Sequence, residues 1–302
     1  MIHQKAYAKI NLALDVLKRL PNGYHEIRTV LQQIGLYDDV WVGKSSECGK
    51  GDGAAEEGIY LTVEPPVLPT GKQNLAWRAA KLFKDTYGIQ EDITIHIEKR
   101  IPMGAGLAGG SADAAAVLLA MRALFDKGLS LQELSQMGAW VGADVPFCIM
   151  GGAAQAEGIG EKLTPVRSLS SKCVIVLCKP DFSISTKETY EAYSSRLEEL
   201  KKEKHPNIDA LRERLEEGQL PSADWQAYMV NVLEYISATI HPQIRQVKEA
   251  LSGFGADAVL MSGSGPAVYG LFSDGEKAVQ AYEKMEKIYP KTYVVRPQEG
   301  QE

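Results

Sequence analysis

The sequence predicts a globular protein of mixed helices and strands in two parts. Three observations lead there. The chain opens with strand-type alternation, its middle holds a glycine-rich stretch running into a strong helix, and its texture changes past residue 165. With 302 residues it is long enough for two modest domains sharing a cleft, and 45% hydrophobic content supplies an ordinary core.

Residues 6–17 read as strand, with Ile10, Leu12 and Leu14 alternating against Lys9, Asn11 and Asp15. That period puts Lys9 and Asn11 on one face. Pro21-Asn22-Gly23 is a turn signal. Residues 44–58 form a polar, glycine-rich loop. Asn74 caps a helix through about Lys84 that ends before Gly88. Ile93, Ile95 and Ile97 alternate with Thr94, His96 and Glu98 as a half-buried strand, in which His96 is exposed. Ser111 is placed to cap the helix that follows the central glycines, and Ser130 opens another helix through about Trp140. Val174–Leu177 is a buried strand. Residues 187–217 are charged and helical, and the charged run at 196–217 is a solvated helical face. Helix continues from Val230 to Leu251 with a break at His241-Pro242. Ala258–Met261 and Ala267–Phe272 are strands around Gly263-Ser264-Gly265-Pro266. No internal repeat or low-complexity tract occurs.

Charge and composition narrow the function. Lys and Arg total 33 against 39 Asp and Glu, a net charge of -6, which argues against a nucleic-acid binder but leaves room for a local anion pocket. The longest apolar run, Ala114–Met121, is too short to span a bilayer, and no secretory h-region follows Met1. Cys48, Cys148, Cys173 and Cys178 form no CxxC pair and no zinc-finger spacing. They read as reduced thiols of a cytoplasmic protein. No His or Cys/His cluster marks a protein-only metal site.

The informative stretch is Pro102-Met103-Gly104-Ala105-Gly106-Leu107-Ala108-Gly109-Gly110-Ser111. Gly104, Gly106 and Gly109 match the dinucleotide fingerprint, but a second helix follows where that fold needs a strand. The P-loop needs a lysine where Gly110 stands. A protein kinase needs HRD and DFG triplets, and neither occurs. What survives is a phosphate cradle of another type. Its glycines let backbone N–H groups approach an anion at a helix N-terminus, and its cation comes from elsewhere.

These residues resemble the phosphate loop of the galactokinase, homoserine kinase, mevalonate kinase and phosphomevalonate kinase (GHMP kinase) superfamily. The doubled glycine before Ser111 is similar to the branch that phosphorylates 4-diphosphocytidyl-2-C-methyl-D-erythritol. Further segments agree in order: Ala8–Leu12 with Pro21–Glu26, Gly142–Phe147 with Ala156–Glu161, and Ser262–Pro266. Ala112 departs from the pattern, since many members carry a second serine there. The resemblance implies an α+β GHMP-kinase fold. Residues 1–165 would form the N-terminal nucleotide-binding and catalytic domain, and 166–302 a ferredoxin-like C-terminal domain. Substrate and ATP would meet in the cleft between them.

By the same resemblance Asp144 is the catalytic base and Lys9 its neighbouring cation, with Asn11 orienting the acceptor hydroxyl. Tyr24 stacks on the cytosine of a small cytidyl substrate, His25 hydrogen-bonds to it, Lys99 contacts it and Tyr190 covers its other face. Pro102, Gly104, Gly106, Leu107, Gly109, Gly110 and Ser111 cradle the ATP phosphates. Mg2+ arrives with the nucleotide, and Gly263-Ser264-Gly265 closes over the site. Another small-molecule kinase of this superfamily, or a ligand sensor of the same fold, is the alternative. Retention of Lys9 and Asp144 speaks against the sensor.

Overall fold

The computed structural model describes residues 1–49 and 56–300, so part of the expected 44–58 loop lies outside the described residues. The chain forms two compact units, each assembled from several stretches. The first is Met1–Ala8, Leu36–Ile101 and Ala108–Met150; the second is Lys9–Gly35, Pro102–Leu107 and Gly151–Glu302. This is not the single division at residue 165 that the resemblance implies. The two long opening strands, β1 (Ile2–Arg19) and β2 (His25–Lys44), each run through both units, so contact density cannot follow one cut in the chain.

The first unit holds the start of β1 and the end of β2. To these it adds α1 (Ser45–Cys48), β3 (Ile59–Glu64), α2 (Leu75–Tyr87), β4 (Ile93–Glu98), α3 (Gly109–Leu124), α4 (Leu131–Ala139) and α5 (Val145–Met150). β4 lies between β2 and β3 in its sheet. It pairs antiparallel with β2, Asp39 opposite Glu98, and parallel with β3, Ile59 opposite Ile93. The alternation of Ile93, Ile95 and Ile97 buries all three. His96 is half-buried rather than exposed, its Nδ1 paired with Thr62 Oγ1 at 2.9 Å. Asn74 caps α2 by accepting from the Ala76 N–H at 2.9 Å, and Gly88 ends that helix in the left-handed conformation at φ 63°. α2 therefore runs three residues beyond Lys84. Ser130 and Glu133 make the reciprocal capping box of α4.

The second unit holds the β1–β2 hairpin. Its turn is the expected Pro21-Asn22-Gly23, with the Leu20 N–H donating to Tyr24 O at 2.7 Å. β5 (Ala153–Gly158) pairs with β2, and β6 (Lys162–Val166) with β5. Then come β7 (Val174–Cys178), α6 (Thr186–Ser195), α7 (Leu197–Leu200), α8 (Ile208–Glu216), α9 (Glu234–Ile240), α10 (Gln243–Gly253), β8 (Ala258–Met261), β9 (Val268–Phe272), α11 (Gly275–Met285) and β10 (Thr292–Val295). The last four strands make an antiparallel sheet in the order β10-β7-β9-β8. Strand, helices, two strands, helix and strand in that order are ferredoxin-like. The charged run 187–217 is not one helix but parts of three, and Asn207 caps the third. Val176, Val259, Val268, Leu251 and Met285 meet in the core beneath.

Candidate active site

The glycine loop turns because its backbone repeatedly enters the left-handed region: φ is 56° at Gly104, 75° at Gly106 and 57° at Ala108. Helix α3 starts at Gly109, with Ala108 as its N-cap and no side-chain capping bond. Ser111 is therefore not the cap expected from the sequence but lies inside the first turn. A turn built of glycines at its first two positions lets the helix begin earlier than a serine cap would. The first intrahelical bond runs from the Ala112 N–H to Ala108 O at 2.9 Å, which leaves the N–H groups of Gly109, Gly110 and Ser111 without an intrahelical acceptor.

The other limb of the loop, Pro102–Leu107, is pinned within the second unit. The Gly106 carbonyl accepts from Lys9 Nζ at 3.1 Å and from Ser262 Oγ at 2.9 Å. The Lys9 N–H donates to Leu107 O at 3.1 Å, and the Ala267 N–H to Ala105 O at 3.3 Å. A Cβ on Gly106 would fall on the Ser262 carbonyl. Ser262 begins the expected Gly263-Ser264-Gly265 turn. That turn is held by Asn231 Nδ2 donating to Gly263 O at 2.7 Å and Ser237 Oγ donating to Ser264 O at 3.0 Å.

Lys9 and Asn11 share one face, as the alternation requires: Lys9 Nζ donates to Asn11 Oδ1 at 2.8 Å, and both are buried. Asn11 Nδ2 donates to Thr29 Oγ1 at 2.9 Å, and Thr29 Oγ1 donates to the Ala13 carbonyl at 2.5 Å. The Asn11 amide is thus fixed from both ends. Asp144 stands immediately before α5, and its carbonyl starts that helix by accepting from the Cys148 N–H at 3.1 Å. Its carboxylate accepts no hydrogen bond among the described residues, so it is not spent as a local cap. The Ser111 hydroxyl lies 3.8 Å from where a Cβ on Gly142 would sit, in the same turn as Asp144. Among the described residues no three His, Cys, Asp or Glu side chains gather in a metal-binding group.

Tyr24 is 59% exposed just past the hairpin turn. His25 is buried beside it, its ring 5.0 Å from that of Tyr190 and its Nε2 paired with Ser194 Oγ. Burial, aided by the charge of Arg19, holds the imidazole below its ordinary pKa, which favours the neutral ring. Lys99 is neither a solvated strand end nor free to meet a base. Its side chain is 4% exposed and its Nζ donates to Asp38 Oδ2 at 2.5 Å and Asp113 Oδ2 at 2.8 Å. Sequence reasoning missed both carboxylates, as it missed Thr29 and Asn231. One signal was available: Asp113 is a lone acid in an alanine- and leucine-rich helix, where an unpaired carboxylate is costly.

Two family models match in order, the GHMP kinases N terminal domain over residues 74–152 and the GHMP kinases C terminal domain over 223–291. A 4-diphosphocytidyl-2-C-methyl-D-erythritol kinase of Clostridium acetobutylicum is 44% identical, covering 97% of this chain and 98% of that one. One from Caldicellulosiruptor bescii is 42% identical over 96% of both. A crystal structure of 4-(cytidine 5'-diphospho)-2C-methyl-D-erythritol kinase superposes with a TM-score of 0.78 at 32% identity over the whole of both chains. Homoserine kinase from Cytophaga hutchinsonii shares the fold, with a TM-score of 0.69 at 17% identity, covering 97% of this chain and 95% of its own. With an uncapped glycine helix, a fixed lysine–asparagine pair and relatives matched end to end, the chain belongs to the 4-diphosphocytidyl-2-C-methyl-D-erythritol kinase family of the GHMP kinases.

Proposed function

We propose that the protein transfers the γ-phosphoryl group of ATP to the 2-hydroxyl of 4-diphosphocytidyl-2-C-methyl-D-erythritol, a step in non-mevalonate isoprenoid precursor synthesis. The observation that carries this reading is the bare start of α3. Three N–H groups at a helix N-terminus, uncovered by any side-chain cap, form an anion site of the kind a nucleotide triphosphate needs.

The chemistry follows from charge. Phosphoryl transfer needs an oriented alcohol and neutralised phosphate oxygens more than covalent help. Asp144 takes the proton of the substrate hydroxyl. That oxygen forms a bond to the γ-phosphorus as the bond to the β–γ bridging oxygen breaks, and ADP leaves with the electron pair. Lys9 has two donors committed, to Asn11 and Gly106, and one left for the developing negative charge. Asn11, fixed by Lys9 and Thr29, orients the acceptor hydroxyl. Pro102, Gly104, Gly106, Leu107, Gly109, Gly110 and Ser111 hold the phosphates. Tyr24, His25 and Tyr190 receive the cytidine, an exposed ring beside a neutral imidazole and its aromatic neighbour.

Magnesium bound to the nucleotide would supply further charge neutralisation. Ser111 and Asp144 offer oxygen donors suited to a hard cation, and the phosphates would provide the rest. The two family models fall on either side of residue 165, where we place the functional boundary between the catalytic and C-terminal domains. A cytoplasmic setting is supported by four cysteines outside any disulfide, three of them buried. Among the described residues no helix is long and apolar enough to cross a membrane.

The test is ADP release with 4-diphosphocytidyl-2-C-methyl-D-erythritol, homoserine and mevalonate as separate acceptors. Turnover at least a hundredfold faster with the cytidyl substrate is expected. Preference for either of the others would replace the assignment.

A further inference from the structure

One buried cluster is not used by the reaction just described. Lys99, Asp38 and Asp113 place one ammonium and two carboxyl groups in the interior of the first unit, with side-chain exposures of 4%, 0% and 1%. Each comes from a different element of that unit. Asp38 lies on β2, Lys99 just past the end of β4, and Asp113 in the opening turns of α3. Asp38 does more than neutralise. Its Oδ1 accepts the Arg100 and Ile101 N–H groups at 2.5 and 2.8 Å, which holds the backbone as it leaves β4 for the glycine loop. Its Oδ2 takes Lys99, and Lys99 takes Asp113. The ammonium sits directly under the helix start: a Cβ on Gly109 would lie 3.3 Å from Lys99 Nζ and 3.0 Å from Ile101 Cγ2.

We propose that Lys99 is a positioning residue for nucleotide binding, bridging Asp38 and Asp113 so that the strand entering the phosphate loop and the helix leaving it are held at fixed spacing. This rests on the reading of that loop as the ATP site. The physical ground is the nature of buried ion clusters. Replacing such a cluster with apolar groups often costs little stability, so we assign this one to fixing geometry, each of its groups having few acceptable partners. Burial raises the Asp113 carboxyl to about 7 against the opposing pull of Lys99, and the neighbouring Asp38 charge adds to the rise. Asp113 Oδ1 has no hydrogen-bond partner among the described residues, and its Oδ2 accepts from Lys99 at 2.8 Å, so the lysine is the donor that ties this carboxyl to the loop. The sequence position agrees: the tie meets the helix four residues past Gly109, one turn below the N–H groups that face phosphate.

The experiment compares wild type, Lys99→Arg, Asp113→Asn and the double variant Lys99→Met with Asp113→Asn. The double variant removes the bridge and one of its two acids together, while Asp38 Oδ1 keeps its two backbone donors, and the thermal midpoint reports what the loss of the Lys99 charge beside Asp38 costs. ATP binding is measured by equilibrium dialysis with magnesium, alongside KM for each substrate and the thermal midpoint. The double variant is expected to weaken ATP binding at least tenfold with the KM for the cytidyl substrate within twofold of wild type. Asp113→Asn should weaken ATP binding three- to fivefold, and Lys99→Arg should restore at least half of the loss. Should the double variant fail to fold, Asp113→Asn decides alone. Folded variants that bind ATP like wild type, or that lose both substrates equally, would overturn the positioning role. Wild type that binds no ATP would instead remove the loop's assignment and this inference with it.

Discussion

At the residue scale, the two glycines at 106 and 110 look alike in the sequence and differ in why they are needed. Gly110 has ordinary room for a methyl group, with Leu75 Cδ1 the nearest atom at 3.6 Å, and alanine is the better helix former by about 1 kcal/mol. Gly110→Ala should leave the thermal midpoint unchanged or raised while increasing the ATP KM tenfold or more, because the added carbon intrudes where phosphate approaches. An unchanged ATP KM would separate Gly110 from the nucleotide. Asp144→Asn should bind ATP within twofold of wild type and lower kcat by at least a hundredfold, since amide replaces base without altering shape; near-normal turnover would remove Asp144 from the role. The sequence carried the identity of Lys9, Asn11 and Asp144 but not their surroundings. Alternation put Lys9 beside Asn11, while Thr29 and Ser262 reach that pair from 18 and 251 positions away in the chain, which no local pattern encodes. Lys99 shows the converse. The family resemblance pointed to a cytosine contact, and only the fold revealed the two acids that occupy the lysine.

At the scale of elements, caps and periods were legible because their causes are local. Asn74, Ser130 and Gly88 act within a few residues of themselves, and each was read correctly. Asn74→Ala should lower stability by about 1 kcal/mol in urea unfolding, with activity retained in the folded fraction. The start of α3 was misread because Ser111 has the chemistry of a cap, whereas Ala108 takes the capping position in a left-handed conformation that alanine disfavours by about 1–2 kcal/mol. Ala108→Gly should therefore stabilise the fold by about 0.5–1 kcal/mol after the entropy of glycine is subtracted. A destabilised variant would mean that surrounding contacts favour the alanine. The charged stretch 187–217 exposed the limit of composition: helix content was readable, and the breaks that divide it were not.

At the scale of the whole molecule, the ferredoxin-like sheet followed from the family resemblance rather than from any periodicity. The division into two compact units could not be read from sequence, because β1 and β2 pass through both. Global stability should carry the mark of the buried acid cluster. Burial pushes the Asp113 carboxyl up to about 7, against 3.8 for an ordinary aspartate. The folded state binds the extra proton across that window, so this group's contribution falls as pH rises from about 4 to about 7. Urea unfolding should show wild type losing stability from pH 5 to pH 7.5 relative to Asp113→Asn. Parallel curves would show that Asp113 is ionised throughout.

The wedge of Ser262 against Gly106 bears on inhibition. Any side chain at position 106 collides with main chain rather than with another side chain, so no single compensating replacement at 262 relieves it. A competitive inhibitor resting its weight on the Gly106 peptide would press on a surface that point mutation can scarcely reshape, and resistance would have to arise elsewhere in the protein.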